Sequence, residues 1–353
     1  TVVGNTDEFI ENGLVAVLLS NVENAKAINI VTKDINYFNS AVTPSRGFGL
    51  TTRYCDKVEL LHCSGERSHY ENLAIYDNSK NVFVLNAKYG KAGRTSGQVH
   101  RNCSNITISG GSFVNYDTLD PDGQTSQAFT VHGEKNVPVD NLQMDNVLLE
   151  TRGEHGGIAL SAFGNITRSN FNLKTVVGKS QNINIANTID CKISGCFYKT
   201  EDSEYAIEVK ASNKNMLLSD FVVDSYGSGI NIWGEHENTK MSNFAIKSNG
   251  NSFSSGAVDG LSVHDGSFES VNGIGIMQIS ANQKGLIKFD NVSVRSKLSA
   301  LSISSKSEHG KTLIFSNSLF STTSNSPVVD IWTDYASVIN NRIEGIVRLR
   351  AEK

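Results

Sequence analysis

Residues 217–244 read LLSDFVVDSYGSGINIWGEHENTKMSNF, and this stretch decides the fold. It opens on Leu217-Leu218-Ser219-Asp220-Phe221 and closes on Lys240-Met241-Ser242-Asn243-Phe244. These are two copies of one pattern: a short strand, a small or amide residue, then a large apolar side chain. Between them, Ile230-Asn231-Ile232 alternates strictly, as a strand with one buried face does. Working outward, the pattern recurs around Phe197, Phe268, Val292, Leu319 and Ile343, with an earlier copy closing at Phe171. The steps between closing residues run from 23 to 27 residues. Each period also carries a second alternating strand, as in Ile183-Asn184-Ile185, Ile207-Glu208-Val209, Ile274-Gly275-Ile276, Leu301-Ser302-Ile303, Val329-Asp330-Ile331 and Val347-Arg348-Leu349.

Units of about 24 residues with two or three short strands cannot close a core alone and must stack on their neighbours. The expected fold is therefore all-β, a parallel β-solenoid, read as one elongated domain over 1–353. Apolar residues at helical spacing are nearly absent. The exception, Asp7 to Ser20, is expected to be a capping helix or an irregular first rung within 1–25. Asn-rich turns suit this reading, because Asn tolerates left-handed backbone and can stack with its copy one rung away. Asn105-Ile106-Thr107-Ile108-Ser109-Gly110-Gly111-Ser112-Phe113 is a further copy. Insertions near 87–101, 115–127 and 150–156 are expected to form the walls of a cleft.

Composition agrees with a folded, polar surface. Asn, Ser and Gly supply 109 of 353 residues, yet 39% of the chain is hydrophobic, enough to exclude a disordered tail. The longest apolar run, Leu14 to Leu19, is far short of the roughly 20 residues that cross a bilayer. A net charge of −4 argues against a nucleic-acid binder. Thr1 is preceded by no initiator Met, so the chain reads as a processed or excised piece. The segment from Ile346 to Lys353 carries no cap and is expected to be covered by a further domain or a trimer contact. The five cysteines, Cys55, Cys63, Cys103, Cys191 and Cys196, show no metal spacing and are expected to pack as small apolar residues. No metal and no cofactor is expected.

Strand alternation assigns two outward columns. One reads Thr130, Ala159, Asn184, Glu208, Asn231, Gly275, Ser302, Asp330, Arg348; the other reads His132, Ser161, Ala186, Lys210, Trp233, Met277, Ser304, Trp332, Arg350. Both tryptophans fall on an outer face, where an indole offers area to the apolar face of a sugar at low entropic cost. Glycoside cleavage needs two carboxyl groups about 5 to 9.5 Å apart, and rungs lie about 4.8 Å apart. Carboxylates on adjacent or next-adjacent rungs therefore meet that geometry. The candidates are Asp117, Asp120 and Asp122, then Glu134, Glu154 and Glu208, with His132, His155, Arg152 and Lys210 as donors.

The 24-residue rungs, the Ser-Gly and Ser-Asn turns, the lack of a disulfide framework and the scarcity of proline resemble the right-handed parallel β-helix proteins of the pectate-lyase-like superfamily. Within it the chain is similar to the tailspikes of tailed bacteriophages. That resemblance implies a homotrimer, assembled in the host cytoplasm, that joins other virion tail proteins and binds or digests a bacterial surface polysaccharide. A fainter resemblance is to the polygalacturonases, through Asp122-Gly123, Glu154-His155-Gly156-Gly157-Ile158-Ala159-Leu160 and Glu208-Val209-Lys210. The paired Asp of that family is absent, the His is displaced by one position, and Glu208 stands where a basic residue belongs.

The functional expectation is a tailspike domain that depolymerises a cell-surface glycan by hydrolysis. Glu154, Asp122, Glu208 and His155 are its expected catalytic residues, and Trp233, Lys210, His132, Arg152 and Trp332 its sugar-binding residues. The alternatives are a polysaccharide lyase led by Lys210, His132 and Arg152, an enzyme cleaving a teichoic-acid-like polymer, or a non-catalytic adhesin or fibre shaft. No nucleic-acid partner and no membrane insertion is expected.

Overall fold

Stacked rungs carry the whole structure, because each rung buries its inward side chains only against the rungs before and after it. A computed structural model describes residues 13–33, 35, 46–115, 126–152, 157–200, 205–256, 258–280, 285–305, 313–332 and 336–350. The chain is a parallel β-solenoid of about 11 turns with rungs of about 24 residues, and it has no helix among the described residues. It divides into two compact units, Thr1–Asn184 and Ile185–Lys353.

In the N-terminal unit one sheet runs through Gly13–Ser20, Arg46–Arg53, Glu71–Tyr76, Thr95–His100, Ser126–His132 and Gly157–Phe163, each parallel to the last. The opposing layer holds Glu23–Ile28, Asp56–Leu61, Lys80–Ala92, Ser104–Asn115, Val139–Thr151 and Asn170–Gly178. Leu50, Leu73, Phe129 and Leu160 of the first layer and Val84, Ile108 and Phe113 of the second are all fully buried. Phe113 and Phe129 lie edge to face at 4.8 Å. In the C-terminal unit a sheet of the same plan runs through Tyr205–Lys210, Ser228–Ile232, Phe253–Ser255, Ile276–Ser280, Leu301–Ser305, Val329–Trp332 and Val347–Arg350. Its core is a file of rings, with Phe221 stacked on Phe244 at 5.5 Å and Phe289 on Phe315 at 5.0 Å.

The corners are made by asparagine. Asn81, Asn105 and Asn141, and in the other unit Asn215 and Asn238, all have positive φ. Asn81 donates to Asp56 at 2.7 Å, Asn105 to Asn81 at 3.1 Å and Asn141 to Asn105 at 2.9 Å. Asn215 donates to Asp190 at 2.7 Å and Asn238 to Asn215 at 2.9 Å. Every amide donates back by one rung, so a ladder begins at an aspartate, which only has to accept. Cys55, Cys63, Cys103 and Cys191 are buried, as their expected role as small apolar residues requires, whereas Cys196 is only half-buried.

Four expectations change. Gly13–Ser20 is a regular strand paired with Arg46–Arg53, not a cap, because Val15, Val17 and Leu19 alternate against Phe48, Leu50 and Thr52. Residues 87–101 form no wall. Lys80–Ala92 and Thr95–His100 occupy them, with Val82, Val84, Tyr89 and Ala92 turned to the core. Of the other two insertions, 116–125 and 153–156 lie outside the described residues. The outward columns slip by two in places: Thr130 pairs with Ser161 and His132 with Phe163, while Met277, not Gly275, follows Ser254. A slip of two leaves inside and outside unchanged, so alternation could not detect it. The repeat slips likewise at Phe244, whose partner is Gly266, not Phe268. A Cβ at Gly266 would collide with the Phe244 ring, which fills the space that glycine leaves.

Candidate functional site

Two outer-face clusters stand out, one in each unit. In the N-terminal unit the register places Arg53, Tyr76, His100, His132 and Phe163 one above another. Because rungs repeat every 4.8 Å or so, planar side chains in such a column stack. The His100 and His132 rings lie 4.5 Å apart and nearly parallel. Phe163 covers the other side of His132 at 4.2 Å, and Tyr76 meets His100 edge-on at 5.5 Å.

Burial governs the protonation of this ladder. It holds His100 down to about 4, with the neighbouring His132 and Arg101 acting the same way. Burial also lowers His132, with Arg94 and Arg101 adding to the effect and Glu134 opposing it. Both imidazoles are therefore neutral at pH 7. Glu134 accepts from Arg101 Nε at 2.8 Å and stands 3.8 Å from His100 Nε2, and the Arg101 hydrogen bond holds its carboxyl below the usual range. The Tyr76 hydroxyl donates to the buried Glu71 carboxylate, with Gln98 Oε1 at 3.3 Å. Burial first, and Glu71 second, push the phenol well above its ordinary value. The His132 ring nitrogens form no hydrogen bond among the described residues, which leaves a neutral imidazole edge open to accept a proton.

In the C-terminal unit, Glu208 and Lys210 lie two residues apart on Tyr205–Lys210 and point the same way. Lys210 Nζ contacts Glu208 Oε2 at 2.7 Å. From the next rung, Trp233 Nε1 donates to Glu208 Oε1 at 3.2 Å, and the indole remains 46% exposed. Asn231 pairs in register with Glu208, and Ser254 with Asn231.

Of the expected site residues, Glu208, Lys210 and Trp233 are thus brought together. His132 belongs to the N-terminal ladder. Arg152 is ion-paired with Glu150 at the end of Val139–Thr151. Trp332 ends the strand Val329–Trp332, in register with Ser304 and Arg350. Asp122, Glu154 and His155, with Asp117 and Asp120, lie outside the described residues. The strands that follow them, Ser126–His132 and Gly157–Phe163, are direct neighbours, with Ser126 opposite Gly157. Sequence reasoning missed His100, Tyr76 and Glu71. The signal was present, since Gln98-Val99-His100 and Thr130-Val131-His132 are the same tripeptide pattern one rung apart. Among the described residues no group of three or more His, Cys, Asp or Glu is placed to hold a metal ion.

No protein-family model and no curated protein matches the chain. Solved structures do. The Dettilon tailspike protein superposes with a TM-score of 0.52 at 8% identity, covering 95% of this chain and 62% of that one. The chain shares its fold with a phage tailspike. It spans 62% of that protein's length. The periplasmic alginate epimerase AlgG also matches, at a TM-score of 0.40 and 10% identity, covering 86% of this chain and 77% of that one. The Agl-KA catalytic domain gives 0.34 and 8%, covering 96% and 62%.

Proposed function

We propose that the chain is the polysaccharide-processing β-helix of a phage tailspike, that it works on the virion tail, and that it binds and hydrolyses a bacterial cell-surface glycan. The observation that supports this most is the pairing of Ser126–His132 with Gly157–Phe163. Asp122 precedes the first of these strands by four residues and Glu154 precedes the second by three. Paired strands about 4.8 Å apart bring the segments that lead into them close enough for two carboxyl groups to reach the separations that glycoside hydrolysis uses. In this reading Glu154 and Asp122 serve as acid and base, His155 orients them, and the polar outer face beside His132 receives the sugars. Incubation with surface polysaccharides from a panel of bacteria should shorten one of them and release reducing ends. Glu154→Gln or Asp122→Asn should then slow cleavage by about a hundredfold or more. Undiminished cleavage in both variants would sink the assignment.

One observation favours a second reading, β-elimination on a uronate polymer. His132 is neutral, open at its ring nitrogens and flanked by cationic residues, as a base that removes the proton beside a sugar carboxylate would be. A lyase leaves unsaturated ends that absorb ultraviolet light, and His132→Ala should then abolish their formation. Chain shortening without that absorbance excludes it.

A further inference from the structure

We propose that Trp233, Glu208, Lys210 and Asn231 form a stacking subsite for one neutral pyranose unit, in which Glu208 is a positioning residue and not an acid or base. This deepens the polysaccharide reading above and rests on it.

Trp233 is bonded through its backbone N–H to Val209 O, and Gly256 in turn to Ile232 O, so Gly256 follows Trp233 in the same column. In the N-terminal ladder the corresponding neighbours are rings, and they close each other's faces. Here the next residue has no side chain at all. A Cβ at 256 would already stand 3.2 Å from the Trp233 Cβ, so any larger residue would crowd the indole. The glycine keeps one face of the ring open at a height where the solenoid would otherwise fill it.

Both Glu208 oxygens are engaged, Oε1 by the indole N–H and Oε2 by the Lys210 ammonium, and the carboxylate side chain is only 14% exposed. An exposed tryptophan would ordinarily sample several rotamers. This one is tied to a nearly buried anion that is itself held in place. A ring fixed before the ligand arrives loses less entropy on binding. A carboxylate occupied twice over is poorly placed to donate or accept a proton from a sugar.

Glu208 and Lys210 cancel, so the cluster has no net charge with which to select an anionic sugar. What it offers is an indole face for the C–H face of a pyranose. Beside it is the Asn231 carboxamide, which has no hydrogen-bond partner among the described residues and can both donate to and accept from ring hydroxyls.

The test uses the full chain against an array of bacterial surface polysaccharides, neutral and anionic, followed by titration of the bound polymer. Trp233 and Trp332 are the only tryptophans, so a Trp332→Phe chain reports on Trp233 fluorescence alone. A neutral polymer should bind and change that emission. Trp233→Ala and Gly256→Val should each weaken binding roughly tenfold without loss of folding. Glu208→Ala should weaken binding severalfold and make the indole more accessible to acrylamide. Glu208→Gln, which keeps an acceptor for the indole N–H, should restore most of the affinity and retain cleavage. If the parent chain binds and both Trp233→Ala and Gly256→Val bind equally well, the subsite is wrong while the polysaccharide reading stands. Loss of cleavage in Glu208→Gln with binding intact would overturn the positioning role. Failure of the parent chain to bind any polymer would remove the broader reading itself. Self-association that depends on Trp233, with glycan binding unchanged in Trp233→Ala, would assign the ring to a second copy of the chain.

Discussion

The outer face of the first sheet carries aromatic side chains in both units, yet the two units use them in opposite ways. In the N-terminal unit Tyr76, His100, His132 and Phe163 occupy one column on successive rungs and cover each other. In the C-terminal unit Trp233 has Lys210 on the rung before it and Gly256 on the rung after. The same backbone position thus yields a sealed stack in one place and an open platform in the other. What a ring does on a solenoid is set less by the ring than by the residue one rung away. A stacked ring contributes to stability and tunes protonation, whereas a pinned ring with an open face is available to a ligand.

The largest effect that separates the two regions should be acid sensitivity. His100 takes its proton near pH 4 when folded and near its ordinary value of 6.5 when unfolded. As pH falls, the unfolded state is protonated first, so stability that is complete above about 6.5 is lost progressively down to about 4. The gap corresponds to roughly 3 kcal/mol for this ring, whose side chain is only 16% exposed. His132, lowered in the same direction, adds to the loss. Tyr76, Arg94, Arg101 and Glu134 are the other titratable or charged groups around the pair. Hydrogen exchange read separately for each unit should show the N-terminal protection falling over this range, and His100→Phe should flatten that fall while preserving the stack. In the C-terminal unit the buried His236, also lowered by burial, is the described histidine that should contribute a slope over this range. An N-terminal slope unchanged in His100→Phe would break the contrast.

A smaller effect should be common to both units. Asn105→Ala and Asn215→Ala each remove a ladder amide and force a Cβ-bearing residue without a compensating side-chain bond to hold positive φ. Each should cost about 1–2 kcal/mol by denaturant unfolding. Equal losses would show that the corners are one shared device and that the units differ only in what the outer face carries. The smallest effect should come from the Arg101–Glu134 pair, which is about half exposed. Arg101→Ala should change stability by a few tenths of a kcal/mol at most. A larger loss would mean that the ion pair, and not the ring stack, holds the N-terminal ladder together.

Much of the fold was legible because its signals are local. The alternation in Ile230-Asn231-Ile232, the return of the pattern in Phe221 and Phe244, and the Asn turns each follow from the preferences of a few adjacent residues. The alignment of Glu208 with Asn231, and of Lys210 with Trp233 one rung on, was also readable, because the 23-residue step between these strands carries no bulge. The sites were less legible. The repeated Gln98-Val99-His100 and Thr130-Val131-His132 pointed to a histidine pair, but nothing near them in sequence reveals that Phe163 will close over His132, and only the structure shows both Glu208 oxygens engaged by Lys210 and Trp233.

The sequence by itself determined that the chain winds in rungs of about 24 residues, which side of each strand faces the core, and that asparagine makes the corners. The tertiary structure alone decided which residue lies over which: Gly266 beside Phe244, Phe163 on His132, Gly256 above Trp233. The physical reason is that alternation has period two. A rung can slide by two residues without exchanging inside for outside, so its hydrophobic pattern cannot choose between the registers. The choice falls to the fit of whole side chains across rungs, where a glycine makes room for a ring or leaves one uncovered.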